Sequence, residues 1–80
     1  MNPHIMQAMM KRGRIAQPLR LRAAQGDGHV VPPGECWVLE RSAWVLLMWR
    51  APSGPTQLEL PLRDYAHHLS LGDISLSVAR

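Results

Sequence analysis

Ala43-Trp44-Val45-Leu46-Leu47-Met48-Trp49-Arg50 is a run of seven apolar residues closed by an arginine. A strand of this composition is apolar on both faces, which normally means a central strand covered on both sides, as in a small barrel or a sandwich. Working backwards, Cys36 to Glu40 is a second apolar stretch. Only Arg41 and Ser42 separate it from Ala43, a spacing suited to a tight hairpin. Working forwards, Pro52-Ser53-Gly54-Pro55 is a turn.

Beyond that turn, Thr56, Leu58, Leu60 and Leu62 alternate with Gln57, Glu59 and Pro61, the pattern of a strand with one buried and one wet face. Leu62, Tyr65, Ala66 and Leu69 then recur at helical spacing through a segment long enough for a turn or two. Gly72 opens a last strand in which Ile74, Leu76 and Val78 alternate with Asp73, Ser75 and Ser77.

Upstream, Ile15, Leu19, Leu21 and Ala23 alternate with Arg14, Ala16, Pro18, Arg20 and Arg22. Period two predicts a half-buried strand, and Pro18, which lacks a ladder donor, places it at a sheet edge or starts it near Leu19. Gln25 to Gly34, with three glycines and two prolines, predicts a long loop in which Val30 and Val31 add a brief strand. Asn2 to Lys11 suits a short helix, with Asn2 as N-cap, Pro3 at its first position and Gly13 beyond its end. The expected organisation is an arm or short helix over 1–13 and a single small β domain over 14–80.

The element order, an optional helix followed by five strands with a helical turn before the last, resembles the SH3-like small barrel and the Sm-like fold of bacterial RNA chaperones. A mostly β, five-stranded small barrel is therefore the expected fold. The tyrosine-lysine-histidine signature of those chaperones is not present around Tyr65, His67 and His68, and fold likeness alone assigns no function.

Five of the nine basic side chains, Lys11, Arg12, Arg14, Arg20 and Arg22, fall in the first 22 residues without one acidic neighbour. The other four are outnumbered by six acids, so the net charge of +3 is the sum of +5 and −2. Arginines two apart on a strand stand roughly 7 Å from one another, a spacing that follows successive phosphates. These five residues are the candidate nucleic-acid contacts. Arg outnumbers Lys eight to one, however, which a GC-rich coding sequence would also produce.

Trp37, Trp44 and Trp49 are the candidate interface residues. Trp44 and Trp49 point to opposite faces of one strand, so at least one leaves a single-barrel interior unless a partner covers it. The expected function is a non-enzymatic binding module that contacts nucleic acid through the basic edge strand; the alternative is a protein partner met through the Trp-rich surface, in an inhibitor or adaptor role of the kind accessory, phage or plasmid genes encode. Self-association is expected as well, because a chain of 80 residues buries only about 60% of its unfolded surface.

Other classes are disfavoured. A single cysteine, Cys36, supports no internal disulfide and reads as a buried small hydrophobe. Asp64, His67 and His68 sit at helical offsets, yet three such neighbours without a distant fourth ligand do not make a metal centre. No phosphate loop and no nucleophile–base spacing is present, so no cofactor, no catalytic residue and no enzymatic activity are expected. The longest apolar run is far short of the roughly 20 residues that span a bilayer. Ile5, Met6, Ala8, Met9 and Met10 precede the basic cluster, the reverse of a secretory signal. A cytoplasmic location without membrane contact is the expectation.

Overall fold

Alternating burial along most strands, with an apolar inward side, builds a mostly β structure around one core. A computed structural model of the chain describes residues 10–22 and 28–77. Its elements are β1 (Met10–Ile15), β2 (Leu19–Arg22), β3 (Gly28–Val31), β4 (Gly34–Glu40), β5 (Trp44–Ala51), β6 (Gly54–Pro61), α1 (Leu62–Leu71) and β7 (Ile74–Leu76). Five strands form an antiparallel sheet in the order β6-β5-β4-β1-β7, and β2 and β3 form a separate hairpin. The described sheet is open, with β6 and β7 as its two edges.

The register sorts side chains into two faces. Lys11, Val38, Leu47 and Leu58 form one inward row, and Gly13, Cys36, Trp49 and Thr56 form the next. Leu19, Leu21 and Val31 of the hairpin, Tyr65 of α1 and Ile74 of β7 join the inward residues in a single buried cluster. Among the described residues no buried side-chain polar atom lacks a partner.

Several expectations hold. The β4–β5 hairpin turns through Arg41, Ser42 and Ala43, with Arg41 N–H donating to the Trp44 carbonyl at 2.8 Å. The brief strand at Val30 and Val31 is β3, and Leu58 and Leu60 are the buried side of β6. Cys36 is fully buried, and burial together with the neighbouring Glu35 charge raises its thiol above the ordinary range.

Other expectations need correction. The helix assigned to Asn2–Lys11 lies largely outside the described residues, but its end does not. Met10, Lys11, Arg12 and Gly13 belong to β1, which is internal to the sheet between β4 and β7. Gly13 does not stop a helix. A Cβ at this position would sit 2.7 Å from the Ser75 carbonyl oxygen, so glycine is what permits β1 and β7 to approach. The strand read from Arg14 to Ala23 is in fact two strands in different sheets, broken over Ala16-Gln17-Pro18, where proline has no ladder N–H to give. Ala23 and the start of the Gln25–Gly34 loop lie outside the described residues, as does Val78. Among the described residues the expected five strands become a five-stranded sheet and a separate two-stranded hairpin, and the short helical segment extends to ten residues.

The helix is fixed at both ends. Leu62 N–H donates to the Ala43 carbonyl at 3.0 Å, tying its first turn to the start of β5. At its end Gly72 adopts a φ of +82°. Gly72 N–H bonds the Leu69 carbonyl and Asp73 N–H bonds the His68 carbonyl, the paired closure of a Schellman motif. A His68 Nδ1 to Asp73 Oδ2 contact of 3.0 Å reinforces this turn and leads directly into β7.

Candidate interaction surface

The basic residues do not share one surface. Lys11 lies on the inward row at the rim of the core, and its Nζ donates to Glu40 Oε2 at 3.2 Å. Arg12 is on the outer face of the sheet, with its Nε 3.3 Å from Glu35 Oε2. Acids absent from the sequence neighbourhood are thus supplied by β4, the strand paired with β1. Each pair is surface-exposed and worth about 0–1 kcal/mol, so their main effect is to neutralise charge. Arg14 follows Arg12 on the outer sheet face. Arg20 and Arg22 project from the outer side of the hairpin, because Leu19 and Leu21 point into the core. The arginine-bearing strand is therefore divided between two sheets, Arg12 and Arg14 on β1 of the five-stranded sheet and Arg20 and Arg22 on the hairpin.

Glu40 Oε2 also accepts a hydrogen bond from Tyr65 Oη at 3.1 Å, so one carboxylate joins β1, β4 and α1. Burial, then the hydrogen bond to Glu40 and its charge, push the Tyr65 phenol well above its ordinary pKa. An unfolded tyrosine ionises near pH ~10 while the folded one keeps its proton, so folding stability falls as pH rises through that window. The expected slope from this group is at most about 1.4 kcal/mol per pH unit, and Tyr65→Phe should abolish it. Tyr65 is the only tyrosine, so phenolate absorbance should appear together with unfolding and not before it. Phenolate forming in the folded protein near pH ~10 would contradict this.

The tryptophans divide as their strand positions require. Trp49 is in the core at 6% exposure, whereas Trp44 on the opposite face is 41% exposed. Trp37 is half-buried on that same outer face, opposite Met48 and cross-strand from Arg12. The outer face therefore carries Trp37 and Leu39 of β4, Trp44, Leu46 and Met48 of β5, and Met10 of β1, with Leu39 paired to both Met10 and Leu46. This corrects the expectation that β5 is covered on both sides. The hairpin and α1 both contribute to the inward cluster, which leaves the outer apolar residues partly exposed.

Arg12, Arg14, Arg41, Arg50, Glu35, Gln57 and Glu59 surround this stripe, giving an apolar centre with a polar rim. Past Trp44 the apolar surface turns the corner onto α1, where Ala43, Pro61, Leu62 and Ala66 line a shallow hollow. Strand alternation alone puts Leu46 and Met48 on the face of Trp44, and Leu39 on that of Trp37. Only the register, Trp37 beside Met48 and Leu39 beside Leu46, joins the two sets into one surface.

The Asp64, His67 and His68 group does not assemble: His68 instead meets Asp73. Among the described residues no three of His, Cys, Asp and Glu converge as metal ligands. No described helix is long and apolar enough to cross a membrane. Searches of protein-family models, curated proteins and solved structures find no match to this chain.

Proposed function

We propose that this chain is a non-enzymatic, cytoplasmic binding module that docks a protein on the outer face of its five-stranded sheet. The observation that carries this reading is the half-exposed stripe of Trp37, Leu39, Leu46 and Met48, ended by exposed Trp44 and rimmed by arginines. A desolvated apolar and aromatic centre within a charged rim is the anatomy of a protein interface, and Trp and Arg are the residues that most often dominate its energy. The finer fold assignment, kinship with SH3-like or Sm-like barrels, belongs to the same proposal and rests on element order.

The test is capture from source-cell extract by the intact chain and by its variants. A partner retained by the wild type and by an Arg20→Glu/Arg22→Glu variant, but lost on Trp44→Ala or Leu46→Glu, supports the reading. Retention by the outer-face variants overturns it.

Nucleic-acid binding is the second reading, favoured by the hairpin. Across the β2–β3 ladder Arg20 and Arg22 face Val30 and Gly28, and neither arginine is in an ion pair among the described residues. Electrophoretic shifts titrated with salt decide it. Affinity should fall steeply with salt and collapse in Arg20→Glu/Arg22→Glu, and binding indifferent to either change excludes it.

A further inference from the structure

We infer that the outer sheet face takes an acidic, amphipathic helix of another protein, with the acidic end of that helix at Arg14 and Arg50. The inference rests on the reading of the face as a protein-docking surface and names the chemistry of the partner.

The register arranges the face in rows across the strands. Leu39 and Leu46 stand in one row, flanked by Met10 and Glu59, and Trp37 and Met48 in the next, flanked by Arg12 and Gln57. One step further Arg14 pairs with Glu35, and Arg50 is the next outward residue of β5. The apolar stripe therefore runs into arginine at one end. Glu35 is the one acid in these last two rows, against Arg12, Arg14 and Arg50, and it already meets Arg12 Nε at 3.3 Å. Arg14 and Arg50 are exposed and in no ion pair among the described residues. At the opposite end the two signs balance, since Arg41 and Glu59 line one hollow with Trp44 and Leu46, bordered by His29 of the hairpin.

Two further hollows, of 260 and 250 Å³, meet at the arginine end. Trp37 and Arg50 line both, the first with Pro32, Pro33 and Glu35 and the second with Met48, Pro55 and Gln57. Each sets apolar walls beside a guanidinium. Covering Arg14 and Arg50 with apolar surface alone would desolvate two charges without return, so the occupant brings carboxylates to this end. A nucleic acid would carry its charge along the whole stripe, where Leu39 and Leu46 offer phosphates nothing and Glu59 repels them.

Shape selects the helix. The face of a sheet offers side chains and no free backbone groups, so a segment lying on it must satisfy its own N–H and C=O groups, as a helix does. The stripe is two strands or about 10 Å wide, close to the diameter of a helix. From Trp44 to Arg50 the face runs about 20 Å, which a helix of about 13 residues covers.

Tryptophan fluorescence and calorimetric titration of the intact chain test the inference, with a synthetic helical peptide of about 13 residues as the probe. The peptide carries leucines at helical spacing along one side and glutamates in its first turn, and a second peptide has lysines in their place. The acidic peptide is expected to bind with a Kd of about 10–100 µM, at least about tenfold tighter than the lysine peptide. Arg14→Glu combined with Arg50→Glu should move that ratio at least about tenfold toward the lysine peptide, a change to which the helicity of the free peptides makes no difference. If this variant lacks a native circular dichroism spectrum, Arg14→Gln combined with Arg50→Gln should narrow the ratio in the same direction. Leu46→Glu should abolish binding, and Arg20→Glu/Arg22→Glu should leave it unchanged. Equal binding of the two peptides, a preference that survives both double variants, or no binding up to millimolar peptide overturns the inference. Self-association through Leu46, or retention of duplex DNA through Arg14 and Arg50, in place of peptide binding also overturns it. If the peptides fail while capture from extract still depends on Trp44 and Leu46, the docking surface stands and the acidic helix is excluded. Loss of both overturns both.

Discussion

Gly13→Ala is expected to lower the free energy of unfolding by about 1–3 kcal/mol, and Gly13→Val by more. Two effects compete. Replacing glycine in a strand interior normally gains about 0.5–1 kcal/mol by removing backbone freedom from the unfolded chain. Against this, the new Cβ would lie 2.7 Å from the Ser75 carbonyl oxygen, 3.3 Å from Leu76 Cδ2 and 3.4 Å from Cys36 Sγ. The carbonyl belongs to backbone paired with β1, so it cannot rotate aside as a side chain would. β7 must shift, straining its pairing with Gly13, Arg14 and Ile15 and the burial of Ile74. The clash is therefore expected to win. Urea denaturation at unchanged m-value measures it, and an alanine variant as stable as the wild type would show that the two strands are not so close.

Leu47→Ala is expected to cost about 2–5 kcal/mol, whereas Leu46→Ala, its immediate neighbour, should cost about 1 kcal/mol or less. Leu47 is fully buried between Val38 and Leu58 on the inward row, so truncation leaves a cavity as well as losing transfer free energy. Leu46 lies on the outer face between Leu39 and Glu59 and is only half-buried. For 80 residues a total stability of about 4–12 kcal/mol is ordinary, so the first change threatens the fold and the second does not. The same pair separates stability from binding, since Leu46 is the residue expected to matter for association. Thermal and denaturant unfolding of both variants in dilute solution checks this. Equal losses at the two positions would mean that the outer face is covered, and the docking proposal would lose its basis.

Much of the architecture was legible because it is written in local patterns. The Arg41-Ser42 gap between two apolar stretches, the Pro-Gly turn at 52–55 and the alternation of Leu58 and Leu60 with Gln57 and Glu59 each involve neighbours in sequence. β1 was missed because Met10-Lys11-Arg12-Gly13 has no apolar alternation to read. Its inward positions are Lys11, satisfied by Glu40, and Gly13, which is there for its lack of a side chain. The site was half legible for a related reason. Opposite directions for Trp44 and Trp49 follow from strand geometry alone, but which of them is exposed depends on the side to which the hairpin and α1 fold.

Taken alone, the sequence determined a mostly β chain, the β4–β5 hairpin, the buried Cys36 and the unequal division of charge. All of these follow from periodicity, turn chemistry and composition. Tertiary structure alone decided that Lys11 and Arg12 are partnered, that Arg20 and Arg22 lie apart from Arg14, and that one face of β5 is left uncovered. Those outcomes rest on register between strands distant in sequence. A cross-strand neighbour a few ångströms away in space is 23 to 29 residues away along the chain for these two ion pairs.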